Sequence, residues 1–504
     1  MNELPMGWHS SSLEGLFEFV LGGDWGKDES FDDPEFTLVY CIRGSEFKNW
    51  IKDKGRTASL RKIKKASLEK RQLREGDILI EISGGGPDQP VGRTVLIDKD
   101  AMNQNVELPK VCTNFLRLAR PSSVLDSRYL NYFLSDFYLS GEVVKYQGGS
   151  NNLRNLKFKD YSKIDVSLAP INEQSRIANK LDSLLAKVQN TQTRLEKIPG
   201  ILKRFRQSVL IAATSGELTK DWRLENQVTP LQPFLDNIQR ERESLKFQKK
   251  LKKNFCNQIL DDQPSTVLPN SWVWVNFDSL AKNRSHALKA GPFGSALKKD
   301  DYSDAGYKIY GQEQVIAGNE NLVTYYINND KFEELVSCKT EPGDILISLV
   351  GTIGKVLVLT ESAEEGIINP RLVKLSLSDE IDSYYIKIFI DSPEAHHFFS
   401  MFSHGGTMEI LNLKILRSLP IALPPIEEQK EIVRRVESLF DLADKVEKQY
   451  QAAKQRTDRL TQSLLAKAFR GELVPQDPRD EPASELLKRI QVELEKAAIK
   501  KKKG

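Results

Sequence analysis

Apolar side chains along this chain fall into two kinds of pattern, and each kind occurs twice. Spacing by alternating three and four residues picks out Ile177, Leu181, Leu184, Val188, Thr191, Leu195, Ile198, Leu202, Phe205 and Val209. Moved on by 255 positions, the same spacing picks out Ile432, Val436, Leu439, Ala443, Val446, Tyr450, Ala453, Thr457, Leu460 and Leu464. Apart from one threonine in each, these positions are apolar or aromatic, the seam of a heptad coiled coil. Pro170 or Pro425 precedes each run, acids occupy its first turn, and Gly216 or Gly471 follows it, which are helix start and stop signals. A helix packed on its own globular domain can show similar spacing, but two copies in one register favour packing of the two helices on each other. Paired within one chain, they are expected to run antiparallel and, at ~1.5 Å per residue, to span roughly 65 Å. Pro199-Gly200 stands where the second run has Lys454-Gln455. A mid-helix proline removes a hydrogen bond and clashes with the preceding turn, so a kink near 199–200, or two helices in tandem, is expected.

The second pattern is short and β-rich. DILIEI, VGRTVLI, DILISLV and KVLVL are bounded by glycine-rich turns such as GGGPDQPVG and GTIG, with helical stretches such as SYYIKIFIDSPEAHHFF between them. The two patterns belong to one internal repeat. PINEQSRIANKLDSLL from Pro170 matches PIEEQKEIVRRVESLF from Pro425, and QSVLIAATSGEL from Gln207 matches QSLLAKAFRGEL from Gln462, both at an offset of 255. Outside this part the offset drifts: GDILI recurs at Gly76 and Gly343, GGS at Gly148 answers GGT at Gly405, and LPMGW at Leu4 answers LPNSW at Leu268. PLQPFLDNIQRE from Pro230 likewise answers PASELLKRIQVE from Pro482. A fixed length in one part and a variable one in the other points to two copies of one unit.

The expected fold is therefore α+β: two mixed α/β domains separated by two long antiparallel helices in a coiled coil, with a pseudo-two-fold internal repeat. The first domain is expected over 1–169, the first long helix over 170–218, a linker with a short basic helix over 219–254, the second domain over 255–424, the second long helix over 425–472 and a tail helix over 473–504.

Charge changes this picture locally. The net charge is only +3, yet the stretch from Arg43 to Arg74 is strongly basic, and so is Arg240 to Lys253. Such clusters suit a polyanion, because each cation near a phosphate releases condensed counterions. Two diverged domains at a fixed separation suit a DNA ligand with two non-identical sites at a fixed separation. Backbone positioning would come from Lys, Arg and glycine-loop N–H groups, and base readout from a few polar side chains. In the first domain the candidates are the loop Gly22, Gly23, Asp24, Trp25, Gly26 and Lys27, then Arg43, Lys48, Lys52, Arg56, Arg61, Lys62, Lys64 and Lys65 in the basic stretch. Gln147, Gly148, Gly149 and Ser150 follow, with Asn152 and Arg154. In the second domain they are Gly291, Phe293, Gly294, Ser295, Lys298, Lys299, Gln312, Thr352, Lys355, Arg371, Gly405, Gly406 and Thr407. Each glycine also serves as a tight turn, so these are regions of interest.

Motifs for catalysis are incomplete. Asn369-Pro370-Arg371-Leu372 lacks the second proline and the aromatic that an amino-methyltransferase stacks on a flipped base. In SLVGTIGKV, Gly351 to Gly354 is too short for a phosphate loop, and Val356 stands where a magnesium-binding hydroxyl is needed. His396-His397 has no metal-ligand spacing around it. The four cysteines form no CxxC pair, which argues against a disulfide framework or structural zinc. The start MNELPMGWHSS lacks a signal-peptide pattern, and no apolar run approaches a membrane span, so a soluble, cytoplasmic protein is expected. A coiled-coil scaffold or adaptor without DNA specificity is the alternative reading.

The ordered set LP..W, GGDWGKD or GPFGSALKKDDY, GDILI, GGS or GGT, the proline-led EQ helix start and GEL, present twice, resembles type I restriction–modification specificity subunits over essentially the whole chain. The resemblance implies two target-recognition domains, each reading one half of a bipartite, asymmetric DNA site, with the paired helices setting the unread spacer. It implies docking of two methyltransferase (modification) subunits and, in the full complex, restriction subunits. This chain would then have no catalytic motif, cofactor or metal of its own. The partner subunits of a DNA adenine methyltransferase complex would bind S-adenosylmethionine, ATP and Mg.

Overall fold

A computed structural model describes residues 4–86, 89–150, 153–227, 229–248, 267–293, 296–322, 325–402 and 411–503. The chain divides into two compact units, one of residues 1–196 with 451–504, the other of residues 197–450. Each combines one mixed α/β domain with part of both long helices.

The GDILI repeat builds the centre of each domain. Gly76 and Gly343 have φ of 92° and 81°, a left-handed conformation that favours glycine. The aspartate after each glycine closes its own turn, with Asp77 accepting from Arg74 N (2.7 Å) and Asp344 from Glu341 N (3.0 Å). The apolar run then forms a central strand, Ile78–Glu81 or Ile345–Ser348, buried along its whole length. Ile78 and Ile80 face one core while Leu79 faces another, and Ile345 and Ile347 are likewise divided from Leu346. Burial of both faces explains why these strands read as continuous apolar runs rather than alternating ones.

Both central strands sit in antiparallel four-stranded sheets of the same order. The first runs Phe17–Gly22, Leu116–Pro121, Ile78–Glu81, Thr94–Leu96, and the second Leu288–Ala290, Leu372–Leu375, Ile345–Ser348, Val356–Val358. A second sheet in each domain contains one parallel pair, Phe36–Ile42 with Lys110–Cys112 and Tyr307–Tyr310 with Gly366–Ile368. These registers align the two domains residue by residue.

The motifs flanking each domain form a joint with a long helix. Trp8 donates to Glu173 (3.1 Å) and Trp272 to Glu428 (2.9 Å). The following glutamines, Gln174 and Gln429, donate to the carbonyls of Ala169 and Pro424, both at 2.8 Å. Thus the LP..W and EQ motifs hold domain to helix. The glycine of each GEL closes the same joint, since a Cβ at Gly216 would press into Pro269 and one at Gly471 into Pro5.

Where a kink or tandem helices were expected, the first long run is two helices, Ile171–Leu195 and Ile198–Ser215, and Pro199 lies in the first turn of the second. There its missing N–H costs little. The other run is one helix, Ile426–Phe469. In each unit the helices pair antiparallel. Ile177 and Leu181 share a core with Leu465 and Ala468, while Gln192 reaches Asp458 at 3.3 Å. In the other unit Val209 shares a core with Ile432 and Val436, and Arg206 pairs with Asp444 at 2.6 Å.

Of the expected seam, Ile177, Leu181, Val188, Leu202, Val209, Ile432, Val436, Ala443 and Tyr450 are buried. Leu184, Leu195, Ile198, Phe205, Leu439, Val446, Ala453 and Leu464 are half-buried. Leu460 is a correction: it is 45% exposed, while Thr457, Leu465 and Ala468 are buried. A straight helix drifts ~20° per heptad against a strict 3.5 repeat, and by Leu460 that drift has turned the apolar face past the expected register.

The linker carries helix Gln232–Phe247, and the tail carries helix Ala483–Lys503. Ala483, Leu486 and Ile490 enter the first domain's core. In the second domain Arg242 is buried, donating to the carbonyls of Ser279 and Ala281. That arginine of the basic linker therefore anchors its helix.

Candidate nucleic-acid interface

The glycine loop after the first strand is bound tightly to its neighbours. A Cβ at Gly23 would overlap the Thr113 carbonyl, and one at Gly291 would overlap that of Asn369. Both glycines are required by the same close backbone approach. Asp24 accepts from Gly26 N (2.9 Å) and Ser67 Oγ (2.5 Å), and Gly26 lies at φ 64°. Trp25 lies under the Arg61 guanidinium at 4.3 Å, and Arg61 also donates to the Trp25 carbonyl and Asp28. Lys27 bridges to Lys62 through the backbone. Asp24, Gly26 and Arg61 thus shape the loop itself.

The basic stretch divides in the same way. Arg43 pairs with buried Glu46 (2.5 Å) and Arg56 with Asp53 (3.2 Å). Lys48, Lys52, Lys64 and Lys65 are exposed, and none pairs with a carboxylate among the described residues. Lys62 and Lys64 stand opposite Leu38 and Phe36 on the edge strand Ser59–Lys64. Alternation puts Lys62 and Lys64 on one face of that edge.

Three further strands form a small sheet of their own. Hairpin Gln147–Ser150 with Leu153–Leu156 joins strand Ser83–Gly85, so Arg154 lies opposite Gly149 and Gly85. Gln147 Nε2 donates to Val91 O (3.1 Å), and its Oε1 is buried without a partner. Arg93 pairs with buried Glu81 at 2.5 Å and donates to Gly44 O at 3.1 Å. The Glu81 hydrogen bond holds the Arg93 guanidinium more firmly charged than usual. Glu81 and Arg93 were missed in the sequence because nothing local links a strand residue to a loop residue twelve positions on.

In the second domain the same frame carries other side chains. Register aligns Arg43 with Gly311, Gly44 with Gln312 and Glu46 with Gln314. Glu46 accepts from Arg43 N at 2.5 Å, and Gln314 from Gly311 N at 2.9 Å. Gln312, expected at the interface, is largely buried: its amide donates to Val350 O and accepts from Arg371 Nη1 at 3.3 Å. It supports Arg371, which is exposed. Register likewise sets Ser348 and Lys355 where the first domain has Glu81 and Arg93. Thr352, Lys355, Lys298 and Lys299 are exposed, as is Phe293 at 88%. Asn152, Gly294, Ser295, Gly405, Gly406 and Thr407 lie outside the described residues. Burial pushes the thiols of Cys41 and Cys112 up, the latter to about 12, which suits them to the core rather than to nucleophilic chemistry.

The chain matches the family described as "Type I restriction modification DNA specificity domain" over residues 5–199 and 293–454. It is 33% identical to the type I restriction enzyme EcoDI specificity subunit of Escherichia coli over 72% of this chain and 77% of that one. It is 28% identical to the EcoKI specificity subunit of Escherichia coli K12 over 99% of this chain and 98% of that one. The HsdS subunit from Thermoanaerobacter tengcongensis shares its fold with a TM-score of 0.55 at 18% identity, covering 94% of this chain and 98% of that one.

Proposed function

The chain belongs to the type I restriction modification DNA specificity family, and from that premise we propose that it reads a two-part DNA site and assembles modification and restriction subunits there. One observation carries the two-part reading: a single loop frame, set by the same strand register, occurs twice with different polar side chains at equivalent positions. Arg43-Gly44 answers Gly311-Gln312, and Glu81 with Arg93 answers Ser348 with Lys355. A ligand with two non-identical half-sites calls for equal frames with unequal donors and acceptors. Lys48, Lys52, Lys64 and Lys65 would neutralise phosphates, and Arg371 would reach toward bases in the second half-site.

The repeat offers two equivalent docking places, which suits two modification subunits. S-adenosylmethionine, ATP and Mg would be held by the partner subunits, and the chain would act in the cytoplasm, where its DNA is. Methylome sequencing of cells with and without this chain tests the reading. Loss of one motif with two specified blocks and an unread spacer is expected. An unchanged methylome, or loss of a single continuous motif, would overturn it. Salt-sensitive binding of duplex DNA separates this reading from a scaffold without DNA specificity.

A further inference from the structure

We propose that Arg117, in the first domain only, binds a backbone phosphate of the DNA half-site, an assignment that rests on the DNA-reading function above. Arg117 lies on strand Leu116–Pro121, opposite Gly22 on one side and Ile80 on the other. Its guanidinium lies 5.8 Å from the Phe158 ring, and its Nε is buried without a partner. Three other arginines on the strands and turns of this domain have carboxylates, Arg43 with Glu46, Arg93 with Glu81 and Arg120 with Asp77. Arg117 has none among the described residues. A half-buried cation without a counter-charge is costly unless a ligand supplies one.

The neighbouring residue is fitted to this arginine. A Cβ at Gly22 would stand 3.0 Å from Arg117 Nη1, so glycine leaves its path open. Register gives the counterpart in the second domain as Ala290 opposite Val373, an uncharged pair in the core. Arg117 and Gly22 therefore differ together from that apolar pair, and the added charge has no ionic partner among the described residues.

The surroundings fit an anion. Gly22 opens the loop to Lys27, and Gly148 lies against the Lys157 side chain, next to Phe158. The loop's N–H groups at Gly23, Asp24, Gly26 and Lys27 are used within the fold, but Arg71 donates to the Gly22 carbonyl at 2.9 Å and brings a second guanidinium beside the same glycine. Base edges lie at the floor of a groove and need a side chain that projects, whereas a half-sunk guanidinium meets charge presented at the surface. That favours phosphate.

The test uses the full chain assembled with its modification subunits and duplexes carrying its site. Arg117→Gln removes the charge, and the double variant Gly22→Ala/Arg117→Val imports the pair that the second domain already accommodates, so it is expected to melt like the parent. Either variant should lower the slope of log affinity against log salt by roughly 0.9, shrinking the affinity difference between 50 and 200 mM salt about threefold. Preferred bases should stay the same, and Arg117→Lys should keep the parental slope. An unchanged slope in both charge-removing variants, or altered base preference in the first half-site, would overturn the assignment. If the parent complex itself shows no salt-sensitive site binding, the functional reading fails first, which is a separate result.

Discussion

The two domain–helix joints share one plan but hold their buried glutamates differently. Glu428 accepts from Trp272, from Thr219 Oγ1 (2.6 Å) and from Arg223, so both its oxygens are satisfied. Glu173 accepts from Trp8 through one oxygen, and the other is buried without a partner. The repeat explains the loss: at the offset of 255, Thr219 becomes Val474 and Arg223 becomes Pro478. The first unit instead ties the segment after its long helix with a different pair, Arg176 with Asp480 at 2.6 Å. The lesson is that a duplicated joint keeps its apolar geometry and its tryptophan while its ionic support is free to move elsewhere.

The largest test of this comparison removes the support that only one joint has. Arg223→Met leaves Glu428 buried without its cation and is expected to cost about 3–5 kcal/mol, read by thermal or denaturant unfolding. A cost below about 1 kcal/mol would show that Glu428 does not depend on that pair. Next come the apolar positions common to both joints. Leu465→Ala and its repeat partner Leu210→Ala should each cost about 2–5 kcal/mol, because both are buried where helix meets domain. A large difference between them would contradict the shared geometry.

A smaller effect should come from restoring what the first joint lost. Val474→Thr returns a hydroxyl to the place Thr219 occupies and should stabilise by about 1 kcal/mol if it reaches Glu173. Glu173→Gln probes the same site through pH. Burial raises the Glu173 carboxyl above its ordinary value, so the folded state resists ionising it. The penalty is absent below the unfolded carboxylate value, about 4.3, and grows as pH rises through the higher folded value. Glu173→Gln should therefore melt like the parent near pH 4 and above it near pH 7. Greater destabilisation near pH 7 than near pH 4 would mean that the folded state favours the charged form.

The smallest effect concerns the seam. Leu460→Ala should lie within ~0.5 kcal/mol of the parent, since its side chain is exposed. Phe205→Ala, its partner in the repeat, should cost clearly more, because Phe205 packs against the second unit's core.

What the sequence by itself determined follows from local geometry. Helical spacing gave the long helices, continuous apolar runs behind GD gave the central strands, and the repeat showed that there are two of everything. These are legible because period and turn chemistry act over a few residues. The tertiary structure alone decided which polar groups are available. Arg61 and Arg93 look alike in sequence to Arg117, and only packing beyond the local segment gives those two carboxylates and leaves Arg117 without one among the described residues. Gln312 turned inward to hold Arg371, Leu460 turned out because heptad counting accumulates drift, and the LP..W tryptophans found glutamates more than 150 residues away. An ion pair or buried hydrogen bond depends on where distant loops arrive, and no pattern within either partner's own segment encodes that.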